Sequence, residues 1–97
     1  MSPEIDSQEL PGEELVRQGR ADLDQERVTE LALLVLIAAP RLNKLGLKIR
    51  SRPLLRPYEH RLYGLLEERL GTGAHSYYNS LIRRVVSYAR ALEREQK

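Results

Sequence analysis

Six cationic side chains and no acidic one lie within sixteen residues near the middle of the chain. Clusters of this kind bind phosphate backbones through Coulomb attraction and counterion release, and arginine adds a planar fork that fits phosphate oxygens. Nothing in the segment specifies a base sequence, so we expect any nucleic-acid binding to be non-specific. The alternative, which we weigh more heavily, is a connector that is charged only to stay solvated. The six residues are Arg41, Lys44, Lys48, Arg50, Arg52 and Arg56.

A second set of candidate residues lies on the last predicted helix. At 100° per residue, Arg83, Arg90 and Arg94 form one outward ridge, and Arg84 lies between two tyrosines, Tyr77 and Tyr88, at its edge. Aromatic rings beside arginines often hold single-stranded nucleic acid. Tyrosines at the rim of a core or within a protein interface are more common. We therefore rank rim packing first, a protein interface second and nucleic-acid binding third.

Catalytic chemistry finds little support. The chain has no cysteine, and His60 and His75 lack the spacing of a zinc site. The short segment Gly71-Thr72-Gly73 lacks the lysine and the preceding strand of a phosphate-binding loop. We expect a protein that is not an enzyme and holds no cofactor or metal.

Composition predicts one all-α domain. The chain has 97 residues, of which 41% are hydrophobic, and it contains no Phe and no Trp. Residues 1–30 carry a net charge of −6 and residues 31–97 a net charge of +8. This asymmetry indicates either an anionic partner for the basic part or, as we prefer, two halves that attract each other. The longest apolar stretch is too short to cross a bilayer and no secretory signal is visible, so we expect a cytoplasmic protein.

The N-terminal half divides into a tail and two predicted helices. We assign residues 1–10 to a flexible tail and residues 11–97 to a single helical domain. A first helix is predicted over 11–23, where Gly19 on the apolar stripe indicates a close approach by another helix. A second is predicted over 25–39, with Asp24 as its N-cap. Its apolar residues surround the axis, which indicates a helix at the centre of the fold.

The C-terminal half is predicted to contain three further helices. Pro40 begins a short helix over 40–45 that Gly46 ends, and residues 47–57 form a connector containing two prolines. One longer helix runs from Pro57 to Leu70, and the last runs from Ala74 or Ser76 to Glu95. The predicted architecture is a compact four- to five-helix bundle.

These elements support two interpretations of function. The second helix offers more apolar surface than short neighbours can cover, so we expect a homodimer that buries part of it or the edge between Tyr77 and Tyr88. The preferred interpretation is a non-enzymatic protein-interaction module that self-associates. The alternative is a non-specific nucleic-acid-binding protein that uses residues 41–56 and the arginine ridge of the last helix.

Overall fold

A computed structural model describes residues 10–96 of the chain, and the regular structure in this range is entirely helical. The all-α prediction is confirmed. The α-helices are α1 (Glu13–Asp24), α2 (Glu30–Lys44), α3 (Tyr58–Leu70) and α4 (Ala74–Glu95), with short 3₁₀ turns at Pro53–Leu55 and Gly71–Gly73. Residues 1–9 of the predicted tail lie outside the described residues. Leu10, the last residue of that predicted tail, packs against the core.

Helix α1 lies directly against α2, as the glycine on its apolar stripe predicts. Gly19 is buried, and a Cβ atom added there would overlap the Leu31 carbonyl oxygen and lie 2.5 Å from Val35 Cγ2. A second glycine, Gly12, precedes the helix with a φ of 75°, and a Cβ there would lie 2.6 Å from the Arg84 carbonyl oxygen. Gly19 thus permits the close approach of α1 to α2, and Gly12 permits that of the preceding turn to α4.

The predicted start of the second helix is wrong by several residues. Asp24 is the last residue of α1, and Thr29 caps α2 by accepting a hydrogen bond from the Ala32 N–H at 3.1 Å. Between them the chain turns through Glu26, whose φ is 59°, and the Arg27 N–H bonds back to the Asp22 carbonyl at 2.8 Å. The linker therefore returns to α1 before α2 begins.

A buried carboxylate ties this linker to α1. Asp22 accepts hydrogen bonds from Thr29 Oγ1 at 2.6 Å, from Gln18 Nε2 at 2.9 Å and from Arg27 Nη2 at 2.9 Å. The bond from Thr29, followed by those from Gln18 and Arg27, lowers the pKa of Asp22 although burial opposes this shift. Thr29 therefore caps one helix and stabilises the ionised form of a buried acid on the other.

The separate helix predicted over residues 40–45 does not exist. Pro40 lies inside α2, which continues without a break to Lys44. A proline in a helix removes one backbone hydrogen bond, at a cost of about 3 kcal/mol. Continuing the helix buries Leu42 completely, and this burial offsets part of that cost.

Helix α2 is covered by the other helices of the same chain. It packs against α1, α3 and α4, and Leu33, Leu34, Val35 and Leu36 are at most 1% exposed. These four residues need no second copy of the chain to be buried, because α2 contacts three neighbouring helices. Leu31, Ile37 and Ala38 on the same helix are half-buried.

Residues 45–57 connect α2 to α3, and the part predicted as a connector, residues 47–57, contains no α-helix. Asn43 anchors this connector at its start: its side-chain amide donates to the Ile49 carbonyl at 2.9 Å and accepts from the Ile49 N–H at 2.8 Å. Near its end, the Arg52 N–H donates to the Tyr58 hydroxyl at 2.9 Å. Ile49 is buried in the core, so the connector is fixed at both ends and in between.

Candidate interaction surfaces

The cations of residues 41–56 do not form one continuous surface. Arg41 pairs with Glu93 on α4, with 3.5 Å between Nη2 and Oε1. Arg56 lies over the ring of Tyr58, 5.8 Å from its centroid. Arg52 is half-buried, and its guanidinium donates to the carbonyls of residues 50 and 23 at 2.8 and 3.3 Å. Three of the six predicted residues are therefore engaged within the chain.

The other three, Lys44, Lys48 and Arg50, are exposed, and within residues 10–96 they have no ion-pair partner. Two of them, Lys48 and Arg50, line a small depression together with Arg52 and with Arg20 from α1. We call the surface formed by Arg20, Lys48, Arg50 and Arg52 the basic depression. Its floor is formed by the buried side chains of Leu23 and Ile49, and one acid, Asp24, also lines it.

Hydrogen bonds fix the backbone that carries the side chains of the basic depression. The Asn43 amide fixes the backbone of Ile49, which lies between the two free cations. The guanidinium of Arg52 bonds to the Leu23 carbonyl near the end of α1, 29 residues away in sequence. The connector therefore displays Lys48 and Arg50 from a fixed position beside α1. Sequence reasoning missed Arg20 because it lies in the acidic half of the chain and no spacing rule relates it to the connector.

The arginine ridge of α4 is exposed but lies apart from the basic depression. Arg83 and Arg84 line a different depression, with Pro11 and Gly12 at the start of the described chain. Arg84 Nη2 lies 4.0 Å from a carboxylate oxygen of Glu14 on α1. Arg90 is also exposed. The ridge and the connector cations therefore share no cavity.

The two tyrosines of the predicted edge differ in exposure. Tyr77 is 39% exposed, and Arg69 lies over its ring at 5.3 Å from the centroid while it also pairs with Glu30. Tyr88 is only 8% exposed and lies in the core against α1, so the expectation of an exposed Tyr88 is wrong. Burial, followed by the negative charge of Glu13, raises the pKa of its hydroxyl. An edge joining both tyrosines is therefore not available to a partner.

An exposed apolar patch lies on the linker before α2 and on the 3₁₀ turn of the connector. Leu54 is 91% exposed and Val28 is 49% exposed, the two highest values among the large hydrophobic residues described. They line one depression with Pro53 and Leu55. We call these four residues the apolar patch. The proline-rich sequence around them predicts a connector, but no periodic pattern indicates which of its leucines faces outward.

Charged residues of both signs surround the apolar patch. Glu26, Arg27 and Arg52 line the same depression. Arg27 pairs with the buried Asp22, whereas Glu26 has no ion-pair partner within residues 10–96. The patch and the basic depression meet at Leu23 and Arg52, which line both.

Of the two histidines, His75 contacts an aromatic ring and an amide side chain. His75 lies against the Tyr63 ring, 6.3 Å between centroids, and its Nε2 lies 3.2 Å from Asn79 Nδ2. Within residues 10–96, no group of three acidic or histidine side chains is placed to hold a metal ion. Over the same range, none of the helices is both long enough and apolar enough to span a bilayer.

Searches of family models, curated proteins and solved structures found no match to this chain.

Proposed function

We propose that this protein is a non-enzymatic interaction module that self-associates through the apolar patch. The observation that supports the proposal is the exposure of Leu54, at 91%, beside Val28, at 49%. The helices serve as a scaffold, with the apolar α2 at its centre, that holds the linker and the connector side by side. Hydrogen bonds fix both segments, so the exposure of their apolar residues does not result from a loosely held backbone.

A second copy of the chain is the partner that the charges around the patch favour. In a two-fold interface the same surface faces itself, so each residue meets a residue of the same patch. Glu26 and the pair Arg27 and Arg52 carry opposite charges at the rim. A two-fold arrangement can therefore place an acid of one copy against arginines of the other around an apolar centre. A rim of one sign would repel its own copy.

Burial of Leu54 supplies the driving force in this proposal. Fully burying a leucine side chain is worth about 1.5–3 kcal/mol relative to leaving it exposed. Two copies contribute two such leucines and two partly exposed valines, but association also costs several kcal/mol in lost freedom. We therefore expect a weak dimer that forms at hundreds of micromolar and dissociates on dilution.

Sedimentation velocity over a range of concentrations up to hundreds of micromolar tests the proposal. The wild-type chain is expected to sediment as a dimer at the upper end of the range. Leu54→Glu is expected to sediment as a monomer throughout, because it places two like charges at the centre of a two-fold interface. Since the Leu54 side chain is almost fully exposed, the monomer should keep its free energy of unfolding within about 0.5 kcal/mol.

Tyr77→Glu is the matched control, because Tyr77 on α4 is the exposed large apolar side chain that lies outside the apolar patch within residues 10–96. This variant should dimerise like the wild type. A wild-type chain that is monomeric at every concentration overturns the proposal. A dimer that survives Leu54→Glu but not Tyr77→Glu overturns the assignment of the apolar patch as its interface.

A further inference from the structure

We infer that the basic depression binds the phosphodiester backbone of nucleic acids without sequence preference. This inference is independent of self-association, because it rests on Arg20, Lys48, Arg50 and Arg52 rather than on the apolar patch. It differs from the sequence-based expectation in its residues. Arg20 joins the surface, whereas Arg41, Arg56 and the ridge of α4 lie outside it.

Charge supports an anionic ligand at this surface. Four cationic side chains from two separate segments line the depression with a single acid, Asp24. Arg20, Lys48 and Arg50 have no ion-pair partner within residues 10–96. One acid compensates only one of the four cations, and the like charges that remain repel each other, so an anion that bridges them is favoured.

The form of the surface favours a polyanion over a single phosphate ion. The free cations are exposed, so each keeps most of its hydration when one small anion approaches. A nucleic-acid backbone instead carries condensed counterions, and each cation that neutralises a phosphate releases one of them. Arginine and lysine side chains on a fixed connector gain from this release without the need for an enclosed cavity.

The floor of the depression favours nucleic acid over a membrane surface. Peripheral membrane binding combines cations with apolar side chains that project into the lipid. Here the apolar residues among the cations are Leu23 and Ile49, which are 6% and 8% exposed and belong to the core. The protruding leucine of the connector, Leu54, lines the neighbouring depression instead.

Fluorescence anisotropy with a labelled 20-base-pair DNA duplex of arbitrary sequence and the full chain tests the inference. If three phosphates are neutralised, affinity should fall about 40-fold between about 50 mM and about 200 mM monovalent salt. The double variant Lys48→Glu with Arg50→Glu should bind at least tenfold more weakly at the lower salt concentration and show a shallower salt dependence. Both side chains are exposed, so the variant is expected to fold, as circular dichroism can verify.

The control is Arg83→Glu with Arg90→Glu on α4, which changes the net charge by the same amount at exposed positions outside the depression. This variant should bind within about threefold of the wild type, since the remaining effect is long-range and screened by salt. No binding of the wild type at the lower salt concentration overturns the inference. Equal weakening by the two double variants overturns the assignment of the site.

Two further measurements distinguish nucleic-acid binding from membrane binding and from the proposed self-association. Binding to vesicles containing anionic phospholipid but not to the duplex would overturn the nucleic-acid inference in favour of a membrane surface. Leu54→Glu, which tests self-association, adds a negative charge near the site, so Leu54→Ser is the variant to compare here. The inference expects the Leu54→Ser chain to retain duplex binding to within a few fold, whether or not the wild-type chain dimerises.

Discussion

The α1–α2 pair and the connector that follows it use charged residues in opposite ways. At the junction of α1 and α2, the carboxylate of Asp22 is buried and accepts three side-chain hydrogen bonds, one of them from Arg27. In the connector, Lys48 and Arg50 face solvent and form no ion pair with an acid among residues 10–96. One region therefore uses charge for internal packing, and the other leaves charge available to a partner.

The apolar residues of the two regions show the same contrast. Gly19 lets α1 approach α2 so closely that the Leu31 backbone and Val35 fill the space where its side chain would be. The connector, by contrast, leaves Leu54 almost fully exposed. Groups that are satisfied internally, such as Asp22, contribute stability, whereas unpaired charge and exposed apolar surface are where binding is expected.

Gly19→Ala is expected to have the largest effect, because the added methyl group has no space. The overlap with the Leu31 carbonyl forces α1 and α2 apart, and we expect the free energy of unfolding to fall by about 3 kcal/mol. Urea denaturation monitored by circular dichroism measures this change. A loss of this size would show that α1 and α2 pack too closely at Gly19 to accept a side chain.

Gly64→Ala is the matched control for Gly19→Ala, because it makes the same change inside α3. A Cβ atom at Gly64 meets nothing within 4 Å, so only helix propensity changes and the free energy of unfolding should rise by about 0.5–1 kcal/mol. Changes of the same sign and size at the two glycines would contradict the close packing of α1 on α2.

Asp22→Asn is expected to have the next largest effect and to change the pH dependence of stability. Hydrogen bonds to a charged group are worth about 1.5–3 kcal/mol, so we expect a loss of about 2 kcal/mol at neutral pH. Because the folded-state pKa of Asp22 lies below its ordinary value of 3.8, its contribution is complete above that value. This contribution is lost as the pH falls through the lower, folded-state pKa.

Urea denaturation between neutral and acidic pH checks this prediction. The wild type should lose stability more steeply than Asp22→Asn below about pH 4, so the two curves should converge in acid. Asp24→Asn, an exposed carboxylate two residues along the same helix, is the control and should follow the wild type. Curves that stay parallel down to strongly acidic pH would show that the Asp22 carboxylate does not link α1 to the linker.

Much of the helical architecture could be predicted from the sequence, because periodic apolar residues and end signals agreed with each other. The last helix was predicted from Ala74 or Ser76 to Glu95 and runs from Ala74 to Glu95. The sequence does not place the start of α2 correctly, because Asp24 and Thr29 are both residue types that cap the N-terminus of a helix. The choice is made by the tertiary hydrogen bond from Thr29 to Asp22. Likewise, Pro40 is a normal helix start, and burial of Leu42 beyond it overrides that local preference.

The candidate surfaces were less predictable than the fold. The six cations between Arg41 and Arg56 are evident from the sequence, but which of them stay free depends on partners distant in the chain, such as Glu93 for Arg41. Arg20 enters the basic depression only because α1 passes beside the connector. Tyr88 was expected at an exposed edge, yet the close approach of α1 covers it. Composition therefore indicates a charged segment, and tertiary packing determines which surface it forms.

Asn43→Ala is expected to have the smallest effect, and it tests whether the connector can loosen while the α1–α2 pair stays intact. The substitution removes the two hydrogen bonds to Ile49, whose backbone can partly exchange them for water. We expect a loss of about 1 kcal/mol, equivalent to an opening about fivefold more frequent at the connector. Hydrogen exchange of the Ile49 amide should accelerate by that factor, whereas the Leu33 amide inside α2 should exchange with nearly unchanged protection.

Asn79→Ala on α4 removes an amide outside the connector and should leave Ile49 protected. If Asn43→Ala instead accelerated the Ile49 and Leu33 amides equally, the connector would open only with the core. The division between an internally satisfied helix pair and a separately anchored binding segment would then not hold.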